Sequence, residues 1–383
     1  MDKLREFISN EFFSGSPEYK ECSNCLMDTS DGSIVFDERG VCNYCLDFKK
    51  ESQLIWHPSH EGKTQLDNII DSIKNKNKNK NKKYDCILGI SGGLDSSYLA
   101  LILKKYDLRV LAVHVDGGWN SELAVNNIEA VLEHCNFDLY THVVNWESMK
   151  NVQLAFLKSG ISNQDIPQDH VFFAVLHNLA LKNNINIFMS GGNFATESIL
   201  PGYWQADAMD SILIRDIFKK HGKGSLKGYK TISFFELKVL FRLRGFKQIR
   251  PLNYIEYGTK IAEKELEKIG WRNYERKHGE SIFTKFFQNY FLVEKFGYDK
   301  RRAHLSSRIL SGDITREEGL GLLHQPLYDP KELAEDKEFI SKKLDLSLDE
   351  LDGFIHSENR VYLDYKNWDS YMSIGQKIRN LIP

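Results

Sequence analysis

No stretch of this 383-residue chain approaches the ~20 consecutive apolar residues that a membrane-spanning helix requires. Its first residues, Met1-Asp2-Lys3-Leu4-Arg5-Glu6-Phe7, lack the long apolar run of a secretory leader. These two absences argue against membrane insertion and set the expectation of a cytoplasmic protein. An excess of one charge is lacking too. The formal net charge is −2, which argues against a chain built around nucleic acid. No internal repeat stands out. Cysteine is scarce at six residues, and in a reducing compartment such thiols point to metal or catalysis rather than disulfides. What is present is 42% hydrophobic and 12% aromatic residues, enough for a sizeable core. The length accommodates two or three domains at ~100–200 residues each.

Four cysteines fall into two C-x-x-C pairs, Cys22-Ser23-Asn24-Cys25 and Cys42-Asn43-Tyr44-Cys45, with sixteen residues between them. That spacing matches a zinc site in which two knuckles close one tetrahedron. An iron–sulfur cluster and a redox dithiol are the alternatives. Between the pairs, Gly32 to Val41 reads as a short hairpin with turns at Asp31-Gly32 and Arg39-Gly40. A ribbon with so little core draws its folding energy from the metal. Cys86 lies in an apolar strand pattern and Cys135 on a helical one, so both read as packing residues.

Ser91-Gly92-Gly93-Leu94-Asp95-Ser96-Ser97 is the most informative stretch. It follows Tyr84–Ile90, which reads as a buried strand, and precedes Tyr98–Leu103, which reads as a helix. Glycines and hydroxyls in such a turn aim backbone N–H groups and a helix N-terminus at one point, which suits phosphate. The glycines permit close approach of the ligand. No lysine follows in the G-x-x-x-x-G-K-[ST] arrangement, so this is not a Walker-type loop. S-G-G-x-D-S instead resembles the pyrophosphate loop of enzymes that split ATP into AMP and pyrophosphate. Ser91, Gly92, Gly93, Asp95, Ser96 and Ser97 are thus candidate ATP ligands, and Asp95 is a candidate magnesium ligand.

Further along, strand patterns at Arg109–Asp116, Leu139–Val144, Ile185–Ser190 and Gln248–Leu252 alternate with helical spacing at Leu123–His134 and Val171–Leu181. The alternation predicts an α/β fold, a Rossmann-like parallel sheet of the pyrophosphate-loop type. Residues 1–60 are expected to form an N-terminal segment with the zinc ribbon. Residues 61–83 read as a linker, because the alternating Lys and Asn of Lys74–Lys83 look solvated. Residues 84–270 form the expected ATP-binding domain and 271–383 a helical substrate region. Ligands of such sheets bind beyond the carboxyl ends of the strands. The second strand ends in Asp116-Gly117-Gly118 and the fourth in Ser190-Gly191-Gly192-Asn193-Phe194-Ala195-Thr196-Glu197. Asp116, Gly191, Gly192, Asn193 and Thr196 therefore join the candidate ATP site. Glu197 completes a candidate magnesium site with Asp95.

Over nearly its whole length the chain resembles the N-acetyl sugar amidotransferases, bacterial enzymes of acetamidino sugar synthesis for surface polysaccharides and pseudaminic- or legionaminic-type acids. The resemblance rests on Cys22–Ser30, Phe36–Cys45, the Ser91 loop, Gly192–Ser198, Lys277-His278-Gly279-Glu280-Ser281 and Lys295–Ser307. It implies ATP, a nucleotide-linked N-acetyl sugar, and ammonia delivered by a separate glutaminase subunit. Consistent with the last point, neither spare cysteine sits in a nucleophile-elbow context. Lys295, Lys300, Arg301, Arg302, His304 and Arg308 lie within fourteen positions. Cations of this kind grip phosphate and carboxylate, Arg bidentately, which makes Lys300, Arg301, Arg302 and His304 the candidate sugar-nucleotide ligands. Lys277 and His278 are candidate catalytic residues, with a structural role for His278 equally open. A tRNA thiolase is the rival reading and a non-catalytic zinc-ribbon adaptor a third. A homo-oligomer is open.

Overall fold

A computed structural model describes residues 19–204, 206–274 and 279–369. Lys277 and His278 lie outside the described residues. Five strands, β1 (Cys86–Gly89), β2 (Val110–Asp116), β3 (Asp138–Val143), β4 (Ile187–Met189) and β5 (Lys247–Ile249), form one sheet in the order β3-β2-β1-β4-β5. Every neighbouring pair is parallel. The chain moves to one side of β1 for β2 and β3, then to the other for β4 and β5. In parallel sheets such a reversal, here between β1 and β4, marks the crevice in which ligands bind. Strand β5 stops at Ile249 because Pro251 opens a 3-10 turn, Pro251–Tyr254.

Alternate strand residues face opposite ways, and both faces are covered at the central strands β1, β2 and β4, while the edge strand β3 is largely exposed. Ile87, Leu111, Val113 and Phe188 join a core with Val152, Phe156 and Val175. Cys86, Leu88, Ala112 and Met189 join another with Leu66, Ile70, Leu99 and Ile128. Cys86 is thus a packing residue, as is Cys135 in the same core.

The helices labelled here are α1 (Asn43–Ile55), α2 (His60–Asn79), α3 (Leu94–Lys105), α4 (Glu122–Cys135), α5 (Trp146–Ser159), α6 (Ile166–Lys182), α7 (Phe194–Glu197), α8 (Ser211–His221), α9 (Thr259–Glu267), α10 (Ile282–Phe286), α11 (Lys300–Ser311), α12 (Arg316–Leu323), α13 (Pro330–Leu344) and α14 (Leu348–Ile355); short helical turns at Phe241–Leu243 and Leu292–Phe296 extend π-turns. The Lys/Asn tract departs from expectation. Instead of a solvated linker, most of it is the second half of α2. Leu66, Ile70 and Ile73 recur at helical spacing and are buried. Asn77 extends that stripe: it is buried and its Nδ2 donates to the Asp85 carbonyl at 3.1 Å. The lysines point outward from a helix anchored elsewhere.

The cysteine module has single antiparallel bridges, Glu21↔Asp28 and Phe36↔Cys42, in place of a full hairpin. Its second knuckle runs straight into α1. The C-terminal helices do not stand apart, because Ile340, Leu344, Leu351 and Ile355 share a core with one face of the sheet. Among the described residues no helix is long and apolar enough to cross a membrane.

Candidate active site

The turn between β1 and α3 has a tightly constrained backbone. Gly92 sits at φ +83°, a left-handed conformation glycine takes without strain. A Cβ there would also lie 2.6 Å from the Ala124 carbonyl oxygen. The Gly92 carbonyl is tied back by Trp271 Nε1 at 2.8 Å and the Tyr274 hydroxyl at 3.0 Å. Gly93 starts α3 and no side chain caps the helix. The first N–H groups of a helix lack intrahelical partners, so this end is left for an anion. Ser91 and Ser96 place their hydroxyls 3.3 Å apart at the turn, and the Gly93 N–H donates to Ser91 Oγ at 3.3 Å. Ser97 is fully buried behind it, and its hydroxyl has no partner among the described residues.

The end of β4 presses on this turn. A Cβ on Gly191 would lie 3.0 Å from both Asp95 C and Ser96 N, so only glycine lets the two loops touch. Asn193 caps α7 by accepting from the Thr196 N–H at 2.9 Å, and its Nδ2 donates to Asp95 Oδ1 at 3.3 Å. The Tyr257 hydroxyl donates to the same oxygen. Burial, then the charges of Asp95 and Glu197, hold the Tyr257 proton well above its usual range, so it remains a donor. Glu197 Oε2 and Arg250 Nε both lie near Gly192, 3.7 and 3.9 Å from where a Cβ would sit. Asp95 and Glu197 thus share one corner around Tyr257. Asp116 has a shaping part: its Oδ1 accepts from the Gly118 N–H at 2.7 Å and Asn120 Nδ2 at 3.3 Å.

A third wall comes from the C-terminal half. Ser121 N–H donates to the Glu280 carbonyl at 2.9 Å, and Ile282 N–H to the Trp119 carbonyl at 2.8 Å. The Glu280 carboxylate comes 2.9 Å from a Cβ position at Gly93. Four residues on, Thr284 Oγ1 donates to Asp165 Oδ1 at 3.0 Å and Gln288 Nε2 to Asp165 Oδ2 at 3.2 Å. One turn beyond Asp165 on α6 stands Asp169. Burial and the Asp165 charge push its carboxyl up to about 7, against the pull of Lys300. Sequence reading missed Tyr257, Trp271, Asp165 and Asp169. Only the last two left a signal: an acid before Ile166-Pro167, the mark of a helix start, and a second acid one turn later.

The basic cluster divides. Arg301 pairs with Asp299 at 2.8 Å and donates to the Gln325 carbonyl. Arg302 pairs with Glu21 at 3.0 Å and Asp28 at 2.9 Å and donates to the Leu26 carbonyl at 2.8 Å. Arg308 pairs with Asp313 at 2.6 Å. Lys295 Nζ caps the end of α14 through the carbonyls of Phe354 at 2.9 Å and Ser357 at 2.6 Å. Arg301 and Arg302, read from sequence as sugar-nucleotide ligands, are therefore engaged within the chain. The physical reason is that helix neighbours point ~100° apart, so a contiguous basic run cannot face one ligand. The Lys300 charge pulls on the Asp169 carboxyl, and His304 Nδ1 lies 3.4 Å from the Thr196 carbonyl.

Helix α11 also joins two sites. Ser306 and Ser307 are both fully buried. Ser306 Oγ accepts the Leu26 N–H at 2.9 Å and Ser307 Oγ accepts the Ile199 N–H at 3.0 Å. Leu26 adjoins Cys25, and Ile199 lies two residues after Glu197. In the cysteine module the four sulfurs all lie within 4.8 Å of one another. Neighbouring pairs stand at 3.8 Å (Cys22–Cys45), 3.6 Å (Cys25–Cys42) and 3.6 Å (Cys42–Cys45). A tetrahedron with metal–sulfur bonds of ~2.3 Å has edges of roughly 3.8 Å, so the donor set fits one metal ion. Backbone N–H groups of Asn24 and Cys42 point at Cys22 Sγ, at 3.4 and 3.3 Å, and help stabilise thiolate charge.

Fold and site together define a doubly wound parallel α/β protein with an anion-type loop at its switch point and a four-cysteine module docked on its C-terminal helices. Residues 280–379 match a family model described as "LPS biosynthesis protein WbpG-like, C-terminal domain". A comparison with curated proteins gives no match. Among solved structures, the chain is similar to an NH3-dependent NAD synthetase from Campylobacter jejuni in complex with nitrate, at 15% identity, covering 79% of this chain and 99% of that one, TM-score 0.32. It is also similar to the U34-tRNA thiolase NcsA from Methanococcus maripaludis with its [4Fe-4S] cluster, at 12% identity, covering 80% and 88%, TM-score 0.35. An NMN synthetase from Francisella tularensis matches at 16% identity, covering 54% and 92%, TM-score 0.28. Likenesses this weak carry no argument about reaction or ligand.

Proposed function

We propose that the chain is an ATP-dependent, AMP-forming amidotransferase that converts the acetamido group of a nucleotide-linked N-acetyl sugar to an acetamidino group. The observation that carries this reading is the place of Glu280. It opens the segment similar to the LPS biosynthesis domain, and its carboxylate lies against Gly93 of the anion-type loop. The part of the chain tied to polysaccharide chemistry thereby walls the phosphate cradle.

The chemistry asks for this juxtaposition. An amide oxygen is a poor leaving group. Attack by that oxygen on the α-phosphorus of ATP forms an O-adenylyl imidate and releases pyrophosphate. Ammonia then adds to the imidate carbon and AMP departs. The Ser91–Ser97 turn holds the leaving pyrophosphate on its N–H groups. Asp95 and Glu197 would hold magnesium, which neutralises charge on the departing phosphates. Tyr257 fixes the Asp95 carboxylate, and Lys300 and His304 line the acceptor side. Asp169 is suited to take a proton from the entering ammonium, since its carboxyl is poised near neutrality. Ammonia comes from a separate glutaminase. The four cysteines take structural zinc; a four-iron cube would spread their sulfurs further apart, each on its own iron.

The thiolase reading requires a reactive cysteine near the adenylate. Burial pushes the Cys86 thiol up, and Cys135 up to about 11, so neither is poised as a thiolate. The test is AMP formation from ATP and ammonium with a panel of UDP- and CMP-linked N-acetyl sugars, set beside tRNA with sulfide. A sugar product one mass unit lighter than its substrate, with activity rising with pH and ammonium and no use of glutamine by the chain alone, is expected. AMP formation that depends on tRNA, or a product that gains sulfur, overturns the reading.

A further inference from the structure

The crevice makes no use of the charge between α8 and β5. Residues 219–247 carry seven lysines and two arginines against one acid, Glu236, in a chain whose net charge is −2. Among the described residues only Lys220 of these nine cations is ion-paired, to Asp216 at 2.8 Å. Within the stretch, residues 234–243 form one helical segment, a π-turn at Glu236–Leu240 continuing through Phe241–Leu243. Ser233 caps it: its Oγ accepts the Glu236 N–H at 3.2 Å, and Glu236 Oε2 accepts the Ser233 N–H at 2.8 Å. One face is held down. Phe241 is buried with Ile232 and Ala174, and Phe234 stands edge-on to Trp368 at 5.5 Å. The other face is bare. Phe235, Val239 and Leu243 recur every four residues and are 63%, 37% and 80% exposed. Lys238, Arg242 and Arg244 are exposed on the same segment.

We propose that this face docks the protein peripherally on an anionic lipid bilayer. Phe235, Val239 and Leu243 would seat at the headgroup boundary while the surrounding cations meet lipid phosphates. Two observations select this occupant. The unpaired excess of cations demands a negative surface, and flexible lysine stems suit a fluid array of headgroups. The row of Phe, Val and Leu demands apolar depth at the centre of that charge. A nucleic acid offers phosphates but rewards stacking planes, and two of these three side chains are aliphatic. The inference is independent of the reaction proposed above.

The test is flotation of the full chain with phosphatidylcholine vesicles, with and without phosphatidylglycerol. At ~0.1 M salt, binding to the anionic vesicles should exceed binding to the neutral ones by roughly tenfold or more, and it should collapse as salt shortens the Debye length. Leu243→Glu and the pair Arg242→Glu, Arg244→Glu should each cut it about tenfold while circular dichroism stays unchanged. Because all three side chains are exposed, misfolding is not the expected confusion, and a second apolar variant, Phe235→Ser, repeats the test. Absence of flotation at low salt overturns the proposal. So does binding that survives Leu243→Glu, or salt-sensitive retention of tRNA or of an acidic protein without any vesicle binding.

Discussion

Gly191→Ala isolates the contact between the two loops of the crevice. The added methyl would meet Asp95 C and Ser96 N at 3.0 Å and Asp95 O at 3.2 Å, all backbone atoms at the start of α3. Ordinary contact needs a few tenths of an ångström more, and a helix start cannot yield as a flexible side chain does. Overpacking of this kind costs ~1–3 kcal/mol. Because the strain falls on the turn proposed to cradle phosphate, it should appear in turnover: each ~1.4 kcal/mol is a tenfold loss, so kcat/KM for ATP should drop roughly 10- to 100-fold. Gly117→Ala is the control. It sits at the end of β2 on the same rim, but its Cβ would meet only Gln168 side-chain atoms at 3.8 Å and Met149 Cε at 4.0 Å, ordinary contact. The assay is pyrophosphate release against ATP concentration for both variants, with melting temperatures to confirm folding. If Gly191→Ala works like the parent, or if Gly117→Ala is equally damaged, the contact does not shape the nucleotide site.

Three further outcomes are expected. The purified chain should carry one zinc bound by Cys22, Cys25, Cys42 and Cys45, with no visible absorbance; elemental analysis that finds iron and sulfide contradicts the tetrahedral fit. Ser307→Ala leaves the buried Ile199 N–H without its acceptor, at a cost of ~1–3 kcal/mol; hydrogen exchange should quicken at Ile199 more than at Leu26, and uniform quickening would deny a local effect. Asp169→Asn should stabilise the protein in a pH-dependent way. Burial and the Asp165 charge raise its folded carboxyl to about 7, above the unfolded ~3.9, so the native chain loses stability as pH rises through that window and bears the full penalty above it. The variant should therefore gain up to roughly 4 kcal/mol at pH 8.5 and almost nothing at pH 4; equal gains at both would refute a charge penalty.

Local pattern carried the centre of the sheet and the β1 turn into view, because strands β1, β2 and β4, buried on both faces, read as apolar runs and the Ser-Gly-Gly turn lies within a few residues. Spacing alone likewise brought out the cysteine quartet. The α2 helix hid behind its own surface. Lys and Asn dominate the tract, and the stripe Leu66, Ile70, Ile73 and Asn77 is thin enough to vanish beside them. Arg301 and Arg302 misled for the opposite reason, since charges crowded in sequence fan out around α11 toward Asp299, Glu21 and Asp28. Tyr257 and Trp271 reach the Ser91 turn from 162 and 179 residues away. Contacts so remote leave no period or motif behind them; only the packed fold reveals them.

The seat of the cysteine module on α11 bears on how this chain can be cut and recombined. A fragment of residues 280–379 would begin in the middle of the Asn120–Ser281 bridge. It would bare Ser306, Ser307 and Arg302 at once, three polar groups whose partners are Leu26, Ile199, Glu21 and Asp28. Such a piece should come out insoluble or molten when expressed by itself. Transplanting that half onto another sheet therefore means bringing the cysteine segment along with it.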